Sequence, residues 1–196
     1  METRDDVDGC FKGGPPLVSS GLLGDPDGNQ GPSRNYFCAT KWDQNNSASI
    51  IGIEMWAARF NMHAIQLSYS DGSKSDMIGQ IPNDYDADEH NHVTWDATQT
   101  LDQLTVWKNR DGNAVGSIRV HVKGTGKPLQ VSSGHTAHDD GDDAPVGAGI
   151  LVGVTGTSWE YVHNLKFWFL NSPIAKAEVI SMDFDESLDT LNRKQE

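Results

Sequence analysis

Apolar and polar residues alternate along a series of short stretches in the chain. Side chains two positions apart lie on the same face of an extended strand, so each stretch predicts a half-buried β-strand. The stretches are separated by turn sequences at residues 70–73, 109–113, 124–127 and 156–158, and the Asp-Gly pairs among them accept the positive φ of tight hairpin turns. The pattern therefore predicts β-hairpins. Its alternating apolar residues are Ile51, Ile53, Met55, Ile65, Leu67, Tyr69, Leu104, Val106, Ile118, Val120, Val122, Leu165, Phe167 and Phe169.

Helical spacing is confined to one short segment near the end of the chain. Residues 187–195 have it, through Leu188 and Leu191, and a piece of that length is marginal as an isolated helix. The body has no helical crossovers that could link parallel strands, which predicts an all-β fold. Periodicity leaves open whether the strands form a sandwich, a barrel or a prism.

Composition divides the chain into three parts. Residues 1–40 are rich in Gly, Pro, Asp, Asn and Ser and predict a loop-rich N-terminal arm. Residues 41–171 carry the strand pattern and predict a single domain. Residues 172–196 form a C-terminal extension that begins with a strand-like stretch at 177–182.

The charge balance restricts the partners. A net charge of −13 repels phosphate backbones and anionic headgroups, which argues against nucleic acid and allows membrane contact only indirectly, through glycans. No run reaches the roughly 18 apolar residues of a membrane-spanning helix. The acidic start has no visible signal peptide, so we expect a cytoplasmic protein or one released without a recognisable signal. For the same reason we expect Cys10 and Cys38 to be reduced, with pairing in an oxidising compartment as the alternative.

Several segments resemble the jacalin-related lectins. Residues 149–167 (GILVGVTGTSWEYVHNLKF) are similar to the closing strand, loop and strand of that family, residues 65–72 (IQLSYSDG) to its first hairpin, and residues 104–120 to its second Greek key. The resemblance extends over roughly residues 42–171. It implies a β-prism of three Greek-key sheets that binds sugar through loops at one end, without metal or other cofactor.

The resemblance also implies where sugar would bind. The family's binding motif is a Gly, three variable residues and an Asp, and here Trp159 stands at the Gly and His163 at the Asp. Residues 42–47 also lack the glycine pair of the family's opening strand, so the sequence assigns neither mannose nor galactose.

The residue types of this loop are nevertheless suited to sugar. A carboxylate accepts hydroxyls and an aromatic ring covers a C–H face, so we expect carbohydrate contacts from Trp159, Glu160, Tyr161 and His163. The turn at 109–113 adds Asn109 and Asp111 as hydroxyl partners. The alternative is that both loops only pack against their neighbours or face solvent.

Metal binding and catalysis have weaker signals. His90 and His92, His135 and His138, and the acidic segments 25–29 and 139–143 offer ligand types for zinc or calcium, but their spacing matches no known site, so we expect solvated loops and no metal. No nucleophile elbow, phosphate loop or metalloprotease helix is present in the sequence, so we expect no enzymatic activity.

Two functions remain. The first is a lectin without catalysis that recognises glycans, with a homo-oligomer as an option that would strengthen weak contacts through multivalency. The second is an interaction or targeting module whose sugar site has decayed, such as the lectin part of an aerolysin-like pore-forming protein. An open pocket formed by the loops at 109–112 and 159–163 would favour the lectin.

Overall fold

The computed structural model describes residues 11, 17–25, 35–42, 47–58, 61–81, 83, 90–133 and 141–173. Their regular structure is β-sheet, and the described part contains no helix that is long and apolar enough to cross a membrane. The strands are β1 Leu17–Ser19, β2 Leu23–Gly24, β3 Asn35–Trp42, β4 Ser47–Ala48, β5 Ile50–Ala58, β6 Asn61–Tyr69, β7 Ile78–Gly79, β8 His90–Thr94, β9 Leu101–Lys108, β10 Val115–Val122, β11 Leu129–Ser132, β12 Asp142–Asp143, β13 Leu151–Ser158 and β14 Val162–Leu170.

These strands form three antiparallel sheets, each built around one long hairpin. Sheet I has the order β1-β14-β13-β3-β4, with β2 also paired to β14. Sheet II has the order β7-β6-β5-β8, and sheet III has the order β11-β10-β9-β12. The central hairpins are β13–β14, β5–β6 and β9–β10, and the sequence pattern predicted all three.

The inward faces of the three sheets share a single hydrophobic core. Met55 and Leu67 contribute to it from sheet II, Leu104 from sheet III, and Leu165 and Phe167 from sheet I, and each side chain is at most 1% exposed. Three sheets around one core form a prism, and the predicted all-β, β-prism fold is confirmed.

Three of the four predicted turns are confirmed. Gly72, Gly112 and Gly124 have φ values of 83°, 72° and 83°, in the left-handed region that favours glycine, and they lie in the predicted turns at 70–73, 109–113 and 124–127. The prediction of a turn at 156–158 is wrong, because these residues belong to β13 and the chain turns at 159–161 instead.

Part of the predicted N-terminal arm belongs to the prism. Strands β1 and β2 pair with β14, and β3 pairs with β13 from Asn35 to Thr40. The Gly- and Pro-rich sequence around β3 obscured its aromatic and β-branched residues, which suit a strand. The other residues of the arm, the tail from 174 onward, and His135 and His138 lie outside the described residues.

The expectation of reduced thiols is wrong for Cys38. Cys38 lies on β3 with its side chain exposed, and its sulfur forms a disulfide. Cys10 lies outside the described residues.

Candidate functional site

The tips of the three central hairpins meet at one end of the prism. We call them tip A (the end of the β5–β6 hairpin at Asn61), tip B (residues 109–114) and tip C (residues 159–161). The Asn109 side chain of tip B donates a hydrogen bond to Oδ1 of Asn61 of tip A at 2.5 Å. Tyr161 of tip C contacts the His63 ring of β6, with 4.8 Å between ring centroids. The three tips therefore form one contiguous surface.

Asn109 holds tip B from the inside. Its side chain is fully buried, and its amide also donates to Oδ1 of Asn113 at 2.8 Å. Its Oδ1 accepts the backbone N–H groups of Asn113 and Ala114 at 2.9 and 3.2 Å. An asparagine side chain has two N–H groups and one oxygen, so these four bonds use its capacity. The structure corrects the interpretation of Asn109 as a sugar contact, because the side chain is saturated and inaccessible.

His163 also points inward. Its side chain is 8% exposed, and Nδ1 lies 3.2 Å from the carbonyl oxygen of Asn113. A carbonyl can only accept, so Nδ1 carries the proton of this bond. His163 thus connects tip C to tip B, and the position where the family motif has Asp supplies a structural donor here. This geometry disfavours a direct contact between the His163 ring and a sugar.

Tyr161 is half-buried between two imidazole rings. Besides His63 it faces His163, with 6.1 Å between centroids and an interplanar angle of 76°. Edge-to-face packing of this kind fixes the phenol ring in place. Tyr161 is therefore a rigid floor for tip C with part of its surface still open.

Three of the predicted residues face solvent. The Trp159 side chain is 41% exposed, and Glu160 and Asp111 are exposed on tips C and B. The backbone N–H of Trp159 donates to the carbonyl of Tyr161 at 2.9 Å, which closes tip C and presents the indole outward. The exposed indole offers an apolar platform, and the exposed carboxylates of tips C and B offer hydroxyl acceptors, which are the groups that a sugar requires.

Asp25 also lies at this end of the prism, although no local sequence signal predicts it. Its backbone N–H donates to the carbonyl of His163 at 2.9 Å, and its carbonyl accepts from the side chain of Asn164 at 3.1 Å. Gly24 makes this approach possible, since a Cβ there would lie 2.7 Å from the His163 carbonyl oxygen. Only a contact between residues far apart in the chain reveals this role.

The described residues contain no group of three His, Cys, Asp or Glu side chains that could hold a metal ion. His90 instead shares a 2.8 Å hydrogen bond between its Nε2 and Oε1 of Glu54, and it stacks on Trp56. The expected absence of a metal stays a prediction.

Comparison with known proteins places the fold. No family model matches the chain, and no curated protein matches it in sequence. Among solved structures it is similar to the lamprey immune protein, with a TM-score of 0.63 and 18% identity over 80% of this chain and 45% of that chain. It is also similar to Calsepa lectin in complex with a bisected glycan, with a TM-score of 0.54 and 16% identity over 79% and 98% of the two chains.

A third similar structure is Malaysian banana lectin, with a TM-score of 0.52 and 12% identity over 78% of this chain and 96% of that chain. These likenesses support the resemblance to the jacalin-related lectins at the level of the β-prism fold. The chain spans almost the full length of both plant lectins but less than half of the lamprey immune protein.

Proposed function

We propose that this protein is a lectin that binds glycans at tip C without catalysis. The observation that carries the proposal is that tip C combines an exposed indole with a packed phenol ring. Trp159 is 41% exposed, and Tyr161, two residues further on, packs edge-on against the His63 ring. An exposed indole can cover the C–H face of a sugar.

The acceptors for sugar hydroxyls are the carboxylates of Glu160 and Asp111. Both are exposed, so they lose part of their hydration on binding and gain charge-assisted hydrogen bonds in return. His163 and Asn109 act as positioning residues that hold tips B and C together. The β-prism architecture supports the proposal, because the plant proteins of similar structure are lectins and one was solved with a glycan.

The alternative function is a targeting module within a larger protein. One observation favours the targeting module. The chain matches 45% of the lamprey immune protein, so a domain with this fold can be part of a longer chain. It is not better supported than the lectin, since the exposed groups at tip C suit a sugar.

A glycan array distinguishes the two functions. We expect the purified protein to bind selectively, with or without chelator, and Trp159→Ala and Glu160→Ala to weaken binding at least roughly tenfold. Lys123→Ala, at the opposite end of the prism, is the matched control and retains full binding. Binding that both tip C variants leave intact would move the site elsewhere. Absence of binding to every glycan would reject the lectin in favour of the targeting module.

The disulfide at Cys38 supports a location outside the reducing cytosol. Disulfides persist in oxidising compartments and are rare in cytosolic proteins. Of the two locations that the sequence leaves open, we therefore favour release from the cell. Detection of the full chain in the culture medium of intact cells tests this choice. Retention of the whole chain in the cytosol would contradict it.

A further inference from the structure

A groove begins at tip C and runs along one edge of sheet I. Its volume is about 640 Å³, within the roughly 300–1,000 Å³ range of ligand clefts. One wall is β3, the other is the segment 74–80, which pairs with β6 through β7, and Trp159 of tip C also lines the groove. We call it the edge groove.

The β3 wall has few partners among the described strands, and its Cys38 is joined in the disulfide. β4 pairs with β3 only at Lys41 and Trp42, so from Asn35 to Thr40 β3 pairs, among the described strands, with β13 alone. On its other side the strand is fixed in the sheet. The wall is therefore rigid, and its outer edge is not covered by a described strand.

The opposite wall is fixed by hydrogen bonds to β6. The Ser75 backbone N–H donates to the Leu67 carbonyl at 2.9 Å, and the Ser75 hydroxyl accepts the Leu67 N–H at 3.0 Å. Further along, the Gln80 N–H donates to the His63 carbonyl at 3.1 Å. Gly79 permits this approach, because a Cβ there would lie 2.1 Å from the same carbonyl oxygen. Both walls thus hold their shape without a ligand.

Exposed apolar side chains in the described part of the chain concentrate at this groove. Those that are large and exposed are Met77, Ile81 and Trp159, at 39%, 41% and 41%. Met77 and Trp159 line the groove, and Ile81 directly follows the lining residue Gln80. Met77 and Trp159 therefore give the groove an apolar component.

The remaining lining suits hydroxyl-rich ligands. The side chains of Asn35 and Gln80 offer amide donors and acceptors, Asp76 offers a carboxylate, and Lys74 offers an ammonium group. The Lys74 ammonium is already 2.6 Å from the Glu54 carboxylate, so the groove does not present an uncompensated cation there. Amides beside apolar groups match the mixed surface of a neutral saccharide.

We propose that the edge groove binds the sugar units that extend from the unit held at tip C, so that the ligand is an oligosaccharide of several units. This inference rests on the proposed lectin function and adds its ligand class. Trp159 is shared by both sites because it belongs to tip C and also lines the groove.

Calorimetric titration tests the inference with two kinds of probe. The first is a biantennary N-glycan, and the second is the set of methyl glycosides of its component sugars. We expect the wild type to bind the N-glycan at least about tenfold more tightly than any methyl glycoside. The double variant Met77→Ala/Gln80→Ala should lose roughly five- to tenfold in N-glycan affinity and keep its monosaccharide affinity.

The control is Gln103→Ala, an exposed glutamine on sheet III, which should leave both affinities unchanged. Both altered groove side chains are exposed, so circular dichroism and the melting temperature should match the wild type. Equal affinity for N-glycan and monosaccharide would overturn the groove inference while leaving the lectin in place. A double variant that weakens both probes equally would overturn it too.

If the protein is not a lectin, the result is different. No saccharide then produces heat with the wild type or binds on the array, and both the lectin proposal and the groove inference are rejected.

An extended peptide is the other ligand that could bind along the β3 edge. Binding of a fluorescent strand-forming peptide that the double variant abolishes would assign the groove to peptides and overturn the sugar assignment.

Discussion

The imidazole Nδ1 of His163 lies 3.2 Å from the backbone carbonyl oxygen of Asn113, and this bond joins two hairpin tips that are 50 residues apart in the chain. His163 lies at the position of the Asp in the binding motif of the jacalin-related lectins, which the sequence resembles. The residue at this position is buried and donates to the protein, so the candidate sugar contacts of tip C are its exposed residues.

His163→Asp tests this reading. A carboxylate can only accept hydrogen bonds. The substitution therefore places a carboxylate next to the Asn113 carbonyl oxygen, two buried acceptors with no proton between them. We expect the free energy of unfolding to fall by about 2–4 kcal/mol in chemical denaturation. His163→Asn keeps an N–H donor and should lose less stability. A wild-type midpoint in His163→Asp, or improved sugar binding, would contradict the structural role.

Asn109→Ala removes a side chain that makes four hydrogen bonds. It leaves the backbone N–H groups of Asn113 and Ala114 without their acceptor, and we expect a loss of about 2–4 kcal/mol in the free energy of unfolding. The control is Asn91→Ala, whose exposed side chain makes a single long contact at 3.5 Å. Equal stability of the two variants in urea titrations would show that the Asn109 network contributes little.

The sequence predicted the hairpins well because their signals are local. Alternation identifies the strands of β5–β6, β9–β10 and β13–β14 within a few residues, and the Asp-Gly turn at 109–113 joins β9 to β10. One detail escaped this reasoning. A bulge between Ile50 and Gly52 buries Ile50 to 1% exposure and leaves Ile51 half-exposed, although Ile51 had been assigned to the inward face. A bulge shifts the two-residue period, and alternation alone cannot locate it.

The candidate site was predicted less well because burial there depends on distant partners. Asn109 looks like a solvated turn residue until Asn61, 48 positions away, covers it. The edge groove was not anticipated, since it forms between β3 and the segment 74–80 of another sheet. The sequence left open whether Trp159 and Glu160 pack or face solvent, because the predicted turn at 156–158 ended before them.

His121 provides a test of electrostatics away from the site. Its Nδ1 lies 2.5 Å from Oδ1 of Asp102, and its Nε2 lies 3.0 Å from the Thr125 carbonyl oxygen. The hydrogen bond with the Asp102 carboxylate is the main cause that raises the pKa of His121 above its ordinary 6.5. The charged ring can donate to both partners.

The expected pH dependence follows from that direction. Because the folded pKa is raised, the stabilising contribution is fully present below about pH 6.5, the pKa of an unfolded histidine, and is lost as the pH rises through the folded value. An NMR titration should give a pKa for His121 above 6.5, and Asp102→Asn should lower it. A pKa that Asp102→Asn leaves unchanged would contradict the assignment of the cause.

Gly156 should be the glycine of sheet I that least tolerates a side chain. It lies on β13 opposite Leu165, and a Cβ there would be 2.1 Å from the backbone carbonyl oxygen of Asn164. The obstacle is backbone within the same hairpin, so relief requires the two strands that carry tip C to separate. We expect Gly156→Ala to lower the free energy of unfolding by more than about 2 kcal/mol.

The matched control is Gly126→Ala. A Cβ at Gly126 would meet nothing within 4 Å, and its φ does not fall in the left-handed region. Alanine there restricts the unfolded chain without a clash, so we expect a change within about 0.5–1 kcal/mol, toward higher stability. Thermal and urea unfolding of the two variants measures the difference. Equal free energies of unfolding for Gly156→Ala and Gly126→Ala would mean that the β13–β14 hairpin can open at Gly156 without cost. The rigid floor that Tyr161 provides for tip C would then lack its support.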